Sequence, residues 1–216
     1  MMIDYDIPGI PAAIAPIQID TEALGFTMAS EPKTGALLAV LAASKPGGRF
    51  LELGTGTGLG TAWLLSGMGA GARLDSVDTD PDVVAVARRH LGSDPRVTFH
   101  IADGADFISR ASAGQFDLLY ADAWPGKFTH LDEALSLLRV GGIYVIDDLS
   151  PQSNWPEGHA PKVPALIESL ERRVDFRTVK LDWASGLMIV VRTGGTVTQL
   201  RQDDGPRHPW RSRAMK

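Results

Sequence analysis

The stretch that decides the fold class is Glu52-Leu-Gly-Thr-Gly-Thr-Gly-Leu-Gly60. It follows the short apolar run Arg49 to Leu53, which is typical of a buried strand, and it leads into a helical pattern that carries Leu64, Leu65 and Met68. Glycine in such a turn allows positive φ and close approach of a ligand to the backbone. The helix that follows offers free N–H groups at its start. The sequence therefore predicts a ligand-binding crevice where a first strand passes into a helix.

The spacing of the glycines selects among the ligand classes that use such loops. A nucleotide P-loop requires Gly-Lys-Ser/Thr, which this stretch lacks. The dinucleotide pattern G-x-G-x-x-G also fails, because Leu59, Thr61 and Trp63 stand at the third glycine position for the three starting points. The pattern that remains is E-x-G-x-G-x-G.

Strand-like and helix-like patterns alternate over the rest of the chain, which predicts βαβ units and a mostly parallel sheet with helices on both faces. The short loop between the last two strands predicts an antiparallel hairpin at one edge. A helix with Phe128, Leu131, Leu135 and Leu138 on one side is expected between the fourth and fifth strands. The seven predicted strands are Arg49–Leu53, Arg73–Asp78, Arg96–Ile101, Phe116–Ala121, Gly142–Ile146, Phe176–Leu181 and Leu187–Arg192.

An acid stands at the end of the second predicted strand. Asp78 lies 24 residues after Gly54, where a carboxylate can accept hydrogen bonds from both ribose hydroxyls of an adenosine. Asp80-Pro81 follows and is expected to begin the next helix as N-cap and first residue. The loop and the acid together are far more specific than either one alone.

This combination resembles motif I and the following acid of class I S-adenosylmethionine (SAM)-dependent methyltransferases, whose fold is a Rossmann-like α/β sheet. The resemblance implies that the loop glycines Gly54, Gly56 and Gly58 contact SAM and that Glu52 orients the loop. It also places Asp103-Gly104 near adenine, although Asp103 could equally cap the helix that begins at that point.

The span from Met28 to Arg192 further resembles the small O-methyltransferases of the catechol and caffeoyl-CoA type. The motifs that carry this resemblance are Phe116-Asp-Leu-Leu-Tyr-Ala-Asp122-Ala-Trp124 and Gly141-Gly-Ile-Tyr-Val-Ile-Asp147-Asp148. By this resemblance Asp122 serves SAM binding and catalysis, Trp124 flanks adenine, and the Met28-Ala-Ser30 stretch touches SAM. It also implies a divalent cation, Mg²⁺ or a similar ion, whose ligands are Asp122, Asp147 and Asp148, the last of which replaces an Asn of the family.

The chain departs from that family at two places. The family's general-base Lys directly follows the aromatic residue, whereas Pro125 and Gly126 intervene here before Lys127. Lys127 is therefore either the base or a solvated residue of a first helical turn. The Pro-rich loop from Ser150 to Pro161 is expected to cover the crevice, with Trp155 and His159 in contact with substrate or only in loop packing.

The composition limits the remaining possibilities. The net charge of −5 makes a nucleic-acid partner unlikely, and the absence of Cys excludes disulfides and thiolate sites. We expect a cytoplasmic enzyme, a possible homodimer without a membrane partner, that methylates a small-molecule oxygen. Residues 1–30 would form an N-terminal extension, 31–193 the SAM-binding domain and 194–216 a peripheral basic tail. The alternatives are metal-independent transfer to nitrogen, carbon or a macromolecule, an aminopropyl transferase, and a SAM-binding protein without catalysis.

Overall fold

The fold is a seven-stranded sheet in the order β3-β2-β1-β4-β5-β7-β6. It is seen in a computed structural model that describes residue 7 and residues 9–194. Neighbouring strands from β3 to β5 pair in parallel, and β7 pairs antiparallel with both β5 and β6. The predicted fold class, with its antiparallel edge hairpin, is confirmed. The strands are β1 Arg49–Leu53, β2 Arg73–Asp78, β3 Val97–Ile101, β4 Phe116–Ala121, β5 Leu138–Ile146, β6 Phe176–Leu181 and β7 Leu187–Arg192.

Helices cover both faces of the sheet. Apolar residues of the first four helices join one core cluster, and those of the last three join the other. In the part of the chain that the structure describes, the helices are α1 Ile14–Leu24, α2 Pro32–Ala43, α3 Leu59–Gly67, α4 Pro81–Leu91, α5 Gly104–Arg110, α6 Leu131–Ser136 and α7 Val163–Glu171, with a 3₁₀ turn at Ala160–Lys162. None of these helices is long and apolar enough to cross a membrane.

The order of the strands fixes where a ligand can bind. The chain runs from β1 outward to β2 and β3, and then returns to the other side of β1 with β4. The loops after β1 and β4 therefore leave the sheet in opposite directions and open a crevice between them. The glycine loop and Asp122 lie at this point.

Three local predictions differ from the structure. Helix α1 was not predicted, yet its Ile14 and Ile17 are buried and pack in the first core cluster. The predicted helix before β5 is only six residues long, because Leu138 already belongs to β5 and is fully buried in the sheet. Ser30, just before Pro32, is the expected N-cap of the helix that carries Leu38 and Leu41, but the N-cap residue of α2 is Glu31. The predicted basic tail lies, apart from Gly194, outside the described residues.

Candidate active site

A cavity of about 430 Å³ opens at the carboxyl edge of the sheet, above β1 and β4. It extends from the glycine loop to the loop that follows β5. Most of the residues proposed from the sequence line it, namely Met28, Ser30, Gly54, Gly56, Asp78, Asp122, Trp124, Lys127, Asp147, Asp148, Trp155 and His159. The structure thus brings most of the predicted cofactor residues and both predicted catalytic residues, Asp122 and Lys127, to one cavity.

The glycine loop is shaped by positive φ and by close backbone approach. Gly54 has φ +103°, and a Cβ built on it would lie 2.9 Å from the carbonyl oxygen of Asp122. Gly58 has φ +96° and precedes α3, whose first turn has no side-chain cap. The free N–H groups of that turn remain available to an acceptor. A larger residue at Gly54 would push the loops after β1 and β4 apart.

Asp78 connects the second strand to the glycine loop. Its Oδ2 accepts a hydrogen bond from the Gly56 N–H at 2.9 Å, and its Oδ1 accepts one from the Asp80 N–H at 3.1 Å. Asp80 in turn caps α4 by accepting from the Asp82 N–H at 2.9 Å, as the sequence predicted. Asp78 therefore lines the cavity with a carboxylate that the backbone already orients.

Glu52 lies beneath the loop and not in the cavity wall. Its side chain is fully buried, with Oε2 accepting hydrogen bonds from Thr61 Oγ1 and from Ser76 Oγ at 2.6 Å. Among the described residues, none forms a hydrogen bond with Oε1. Burial raises the pKa of Glu52 from 4.5 to about 7, against the opposing effect of the two hydroxyl donors. The position beneath the loop is consistent with the expected orienting role.

Three residues proposed for SAM contact lie outside the cavity wall. Asp103 caps α5 by accepting from the Ala105 N–H at 2.7 Å, which is the alternative role that the sequence left open. A Cβ on Gly104 would lie 3.1 Å from Pro125, so this glycine lets the loop after β4 come close. Gly58, likewise, contributes the turn before α3 and no cavity surface.

The carboxylates after β4 and β5 are linked through a tyrosine. The Tyr120 hydroxyl lies 3.1 Å from Asp122 Oδ2 and 2.8 Å from Asp147 Oδ2, and it can donate its proton to only one of them. Ser30 Oγ also donates to Asp122 Oδ2 at 3.2 Å. Burial and then the charge of Asp147 raise the pKa of Asp122 well above its ordinary value, while Lys127 opposes the shift.

Asp147 and Asp148 have different surroundings although they are adjacent. Asp147 is buried, and its Oδ1 accepts from Ser185 Oγ and from the Asp148 N–H. Asp148 has φ +60°, so the chain turns there after β5 has ended. Its carboxylate is half-exposed, and burial is the main cause that raises its pKa, with Lys127 acting against it.

Lys127 is not a solvated lysine. Its side chain is only 2% exposed, and Nζ lies 3.9 Å from Asp148 Oδ2. A tight turn directs it inward: the Lys127 N–H donates to the Trp124 carbonyl at 3.0 Å, and the Gly126 carbonyl accepts from the Tyr144 hydroxyl. The two inserted residues thus form the turn that carries Lys127 into the cavity wall.

The expected set of metal ligands is not formed. Among residues 9–194, no three His, Asp or Glu side chains come together in a way that could hold a metal ion. The buried oxygens of Asp122 and Asp147 accept hydrogen bonds from Tyr120, Ser30 and Ser185, and Lys127 places an ammonium beside Asp148. The donors and charges around these acids therefore do not fit a site made of three carboxylates.

Aromatic side chains cover the cavity from the side of the 150–161 loop. Trp155 stacks on His159 with ring centroids 4.4 Å apart, and His159 meets the edge of Phe128 at 4.8 Å. Phe128 in turn packs edge-on against Trp124 at 5.8 Å. His159 is buried, its Nε2 lies 3.0 Å from the Asp148 carbonyl oxygen, and burial lowers its pKa. Trp155 and His159 are therefore packed against each other and also line the cavity.

Sequence reasoning missed three polar residues of this site. Tyr120 could have been found, because a Tyr in a buried strand two residues before Asp122 points to the same face and needs a partner for its hydroxyl. Ser185 and Glu31 carried no such signal, because they come from loops whose position depends on the fold. Burial, and then the charges of Asp147 and Asp148, raise the pKa of Glu31.

The sequence of this chain is similar to those of known methyltransferases. Residues 51–149 match a family described as "Methyltransferase domain". A Mycobacterium leprae protein that bears the name O-methyltransferase is 33% identical over 165 residues, which cover 73% of each chain. A similarly named Mycobacterium marinum protein is 35% identical over 145 residues, but these span only 65% of its length and 64% of this chain. The Mycobacterium marinum protein is thus matched over less than two thirds of its own length, whereas the Mycobacterium leprae protein is matched over more than two thirds.

The fold is also found among solved structures. An O-methyltransferase from Streptomyces achromogenes, determined in complex with SAM, superposes with a TM-score of 0.71 at 22% identity. The match covers 85% of this chain and 90% of that one. At this identity, the likeness concerns the fold alone.

Proposed function

Since this chain belongs to the class I SAM-dependent methyltransferase family, we propose that it transfers the methyl group of SAM to an oxygen of a small molecule. The proposal rests on one observation: the glycine loop, Asp78, Lys127 and Asp148 all line the same cavity. A cofactor held at the first end would present its reactive group to the second. When bound there, SAM supplies an electrophilic methyl group on a sulfonium.

The residues around the glycine loop fit SAM. Asp78 offers a carboxylate to the ribose hydroxyls, and the start of α3 offers N–H groups to the carboxylate of the amino-acid part. Trp124, Met28 and Ser30 line the same cavity, which supports the roles that the family resemblance implies, with Trp124 beside the adenine ring and Met28 and Ser30 in contact with SAM. Asp103 and Gly104 would support this arrangement from behind, through the α5 cap and the loop after β4.

The other end of the cavity favours an oxygen acceptor. Methyl transfer is an in-line displacement, so the protein contributes mainly by holding the acceptor atom in line with the methyl group. The Lys127 ammonium can donate a hydrogen bond to an acceptor oxygen and attracts an oxygen that carries negative charge. An oxygen acceptor therefore fits this end of the cavity.

The divalent cation of the catechol-type enzymes has no part in the proposed mechanism. The hydrogen bonds that Asp122 and Asp147 already accept, together with the ammonium beside Asp148, do not fit it. Asp122 instead holds Ser30 and Tyr120 in place at the cavity wall. The homodimer implied by the family resemblance stays a prediction, which light scattering would test.

Calorimetry with SAM, S-adenosylhomocysteine and NADH tests the proposed cofactor. We expect the first two to bind at micromolar concentrations and NADH not to bind, because the glycine spacing fails the dinucleotide pattern. Binding of NADH without binding of SAM would contradict the proposal. Formation of S-adenosylhomocysteine and a methyl ether would separate an enzyme from a protein that only binds SAM.

A further inference from the structure

The insertion of Pro125 and Gly126 forms a turn that brings the positive charge of Lys127 into the site. Gly126 has φ +87°, and a Cβ on it would lie 2.6 Å from Leu53 Cδ1, so the turn is pressed against β1. The Phe128 N–H donates to the Trp124 carbonyl at 2.8 Å, and Pro125 and Thr129 form a β-bridge. The turn is therefore rigidly held, and Lys127 extends from it into the cavity wall.

The Lys127 ammonium lies beside an acid cluster, defined as Asp122, Asp147 and Asp148, whose charges act on one another although their carboxylates do not converge on one point. Nζ is 3.9 Å from Asp148 Oδ2 and acts electrostatically on Asp122. Its side chain is nearly excluded from solvent, so this attraction is stronger than it would be at the surface. Buried charges are retained where they are paired, and the carboxylates provide the pairing.

We propose that the Lys127 ammonium is the resident cation of this acid cluster, in place of a divalent metal, and that it binds one oxygen of the methyl acceptor. This inference rests on the proposed function. An acceptor hydroxyl would bind as its oxyanion, with its proton released to solvent. The oxygen then forms the new bond to the methyl carbon, while the sulfur–methyl bond breaks and its electron pair stays on sulfur.

The replacement of a divalent metal by the Lys127 ammonium also defines the class of methyl acceptor. A divalent metal can coordinate two oxygens of one acceptor, as in a vicinal diol, whereas an ammonium is a compact point charge on a flexible stem. The site therefore has no need of a second neighbouring hydroxyl. Trp155, which stacks on His159 beside Asp148, gives the acceptor end an aromatic wall. The structure fits an aromatic compound with a single acidic hydroxyl, such as a simple phenol.

Binding of Mn²⁺ to the full chain, followed by electron paramagnetic resonance, tests this assignment without a known acceptor. The proteins are the wild type, Lys127→Met, Lys127→Arg and, as a matched control, Lys180→Met, which removes an exposed lysine that pairs with Glu171. We expect no stoichiometric Mn²⁺ binding by the wild type, Lys127→Arg or Lys180→Met. Lys127→Met should bind Mn²⁺ at least tenfold more tightly than the wild type, because its carboxylates have lost their cation.

Each outcome decides the matter. Stoichiometric Mn²⁺ binding by the wild type would overturn the proposal, and so would a folded Lys127→Met that binds no better than the wild type. If circular dichroism shows that Lys127→Met does not fold, the wild type and Lys127→Arg still test the proposal. Tight binding of Mn²⁺ by either protein would contradict it. SAM calorimetry on the same samples reports separately on the proposed function, so the two failures are distinguishable.

Discussion

Replacement of Glu52 by Gln should make the protein more stable at neutral pH than the wild type. Glu52 is fully buried under the glycine loop, and its Oε1 has no hydrogen-bond partner in the part of the chain that the structure describes. The ionised form is therefore held away from water with only the Thr61 and Ser76 hydroxyls to stabilise it. Gln removes the charge and keeps an oxygen that can accept from the same hydroxyls.

The magnitude follows from the pKa of this side chain. The pKa rises from 4.5 to about 7 on folding, a difference of about 2.5 pKa units. At about 1.4 kcal/mol per unit, the group costs about 3 kcal/mol of stability once both states are ionised. The folded state binds the Glu52 proton more tightly than the unfolded state does. The stabilisation that this proton gives the folded state is therefore fully present below pH 4.5 and is lost as the pH rises to about 7. Above that pH the loss is complete and constant.

Urea unfolding of the wild type and Glu52→Gln from pH 4 to pH 8 measures this effect. The difference in unfolding free energy should grow in favour of Glu52→Gln by about 3 kcal/mol between the two ends of that range. Glu22→Gln, in an exposed position of α1, serves as control and should show no such trend. A difference that stays constant with pH would refute the reasoning.

Three further substitutions test other parts of the site. Asp78→Ala should weaken SAM binding about a hundredfold by calorimetry, since it loses two hydrogen bonds to a charged group, while Asp82→Ala should not. Tyr120→Phe should lower the unfolding free energy by about 1–3 kcal/mol, because buried carboxylates lose a donor; an unchanged urea midpoint would contradict the bridge. Gly54→Ala should cost about 1–3 kcal/mol, because φ is +103° and Asp122 leaves no room for a Cβ; wild-type stability would speak against it.

The fold could be predicted because its signals are local. Strand bounds such as Phe116–Ala121 and Leu187–Arg192 agree with the structure to the residue, since apolar runs between loop residues mark buried strands. Helix α1 was missed because Pro11 and Pro16 obscure its start, and its buried side consists only of Ile14, Ile17 and Thr21. The Thr21 hydroxyl donates to Thr57 Oγ1 at 2.8 Å, so this helix also supports the glycine loop, which no local pattern could indicate.

Many residues of the cavity wall could be named from the sequence, but the charge balance around them could not. The sequence showed that Asp122, Asp147 and Asp148 follow neighbouring strands, and it left Lys127 open between a base and a solvated residue. Whether the acids converge depends on backbone turns such as φ +60° at Asp148, which spacing does not fix. The direction of Lys127 depends likewise on the turn at Gly126, which is held by contacts with β1 and with Tyr144.

A crystal structure of the protein soaked with SAM and Mg²⁺ tests the central claim most directly. We predict SAM in the cavity, with its ribose hydroxyls on Asp78, its amino-acid part on the glycine loop and its methyl group directed toward Lys127. We also predict no Mg²⁺ among Asp122, Asp147 and Asp148. Adenosine bound away from Asp78, or a methyl group directed away from Lys127, would contradict the account, and Mg²⁺ coordinated by those three acids would contradict the role given to Lys127.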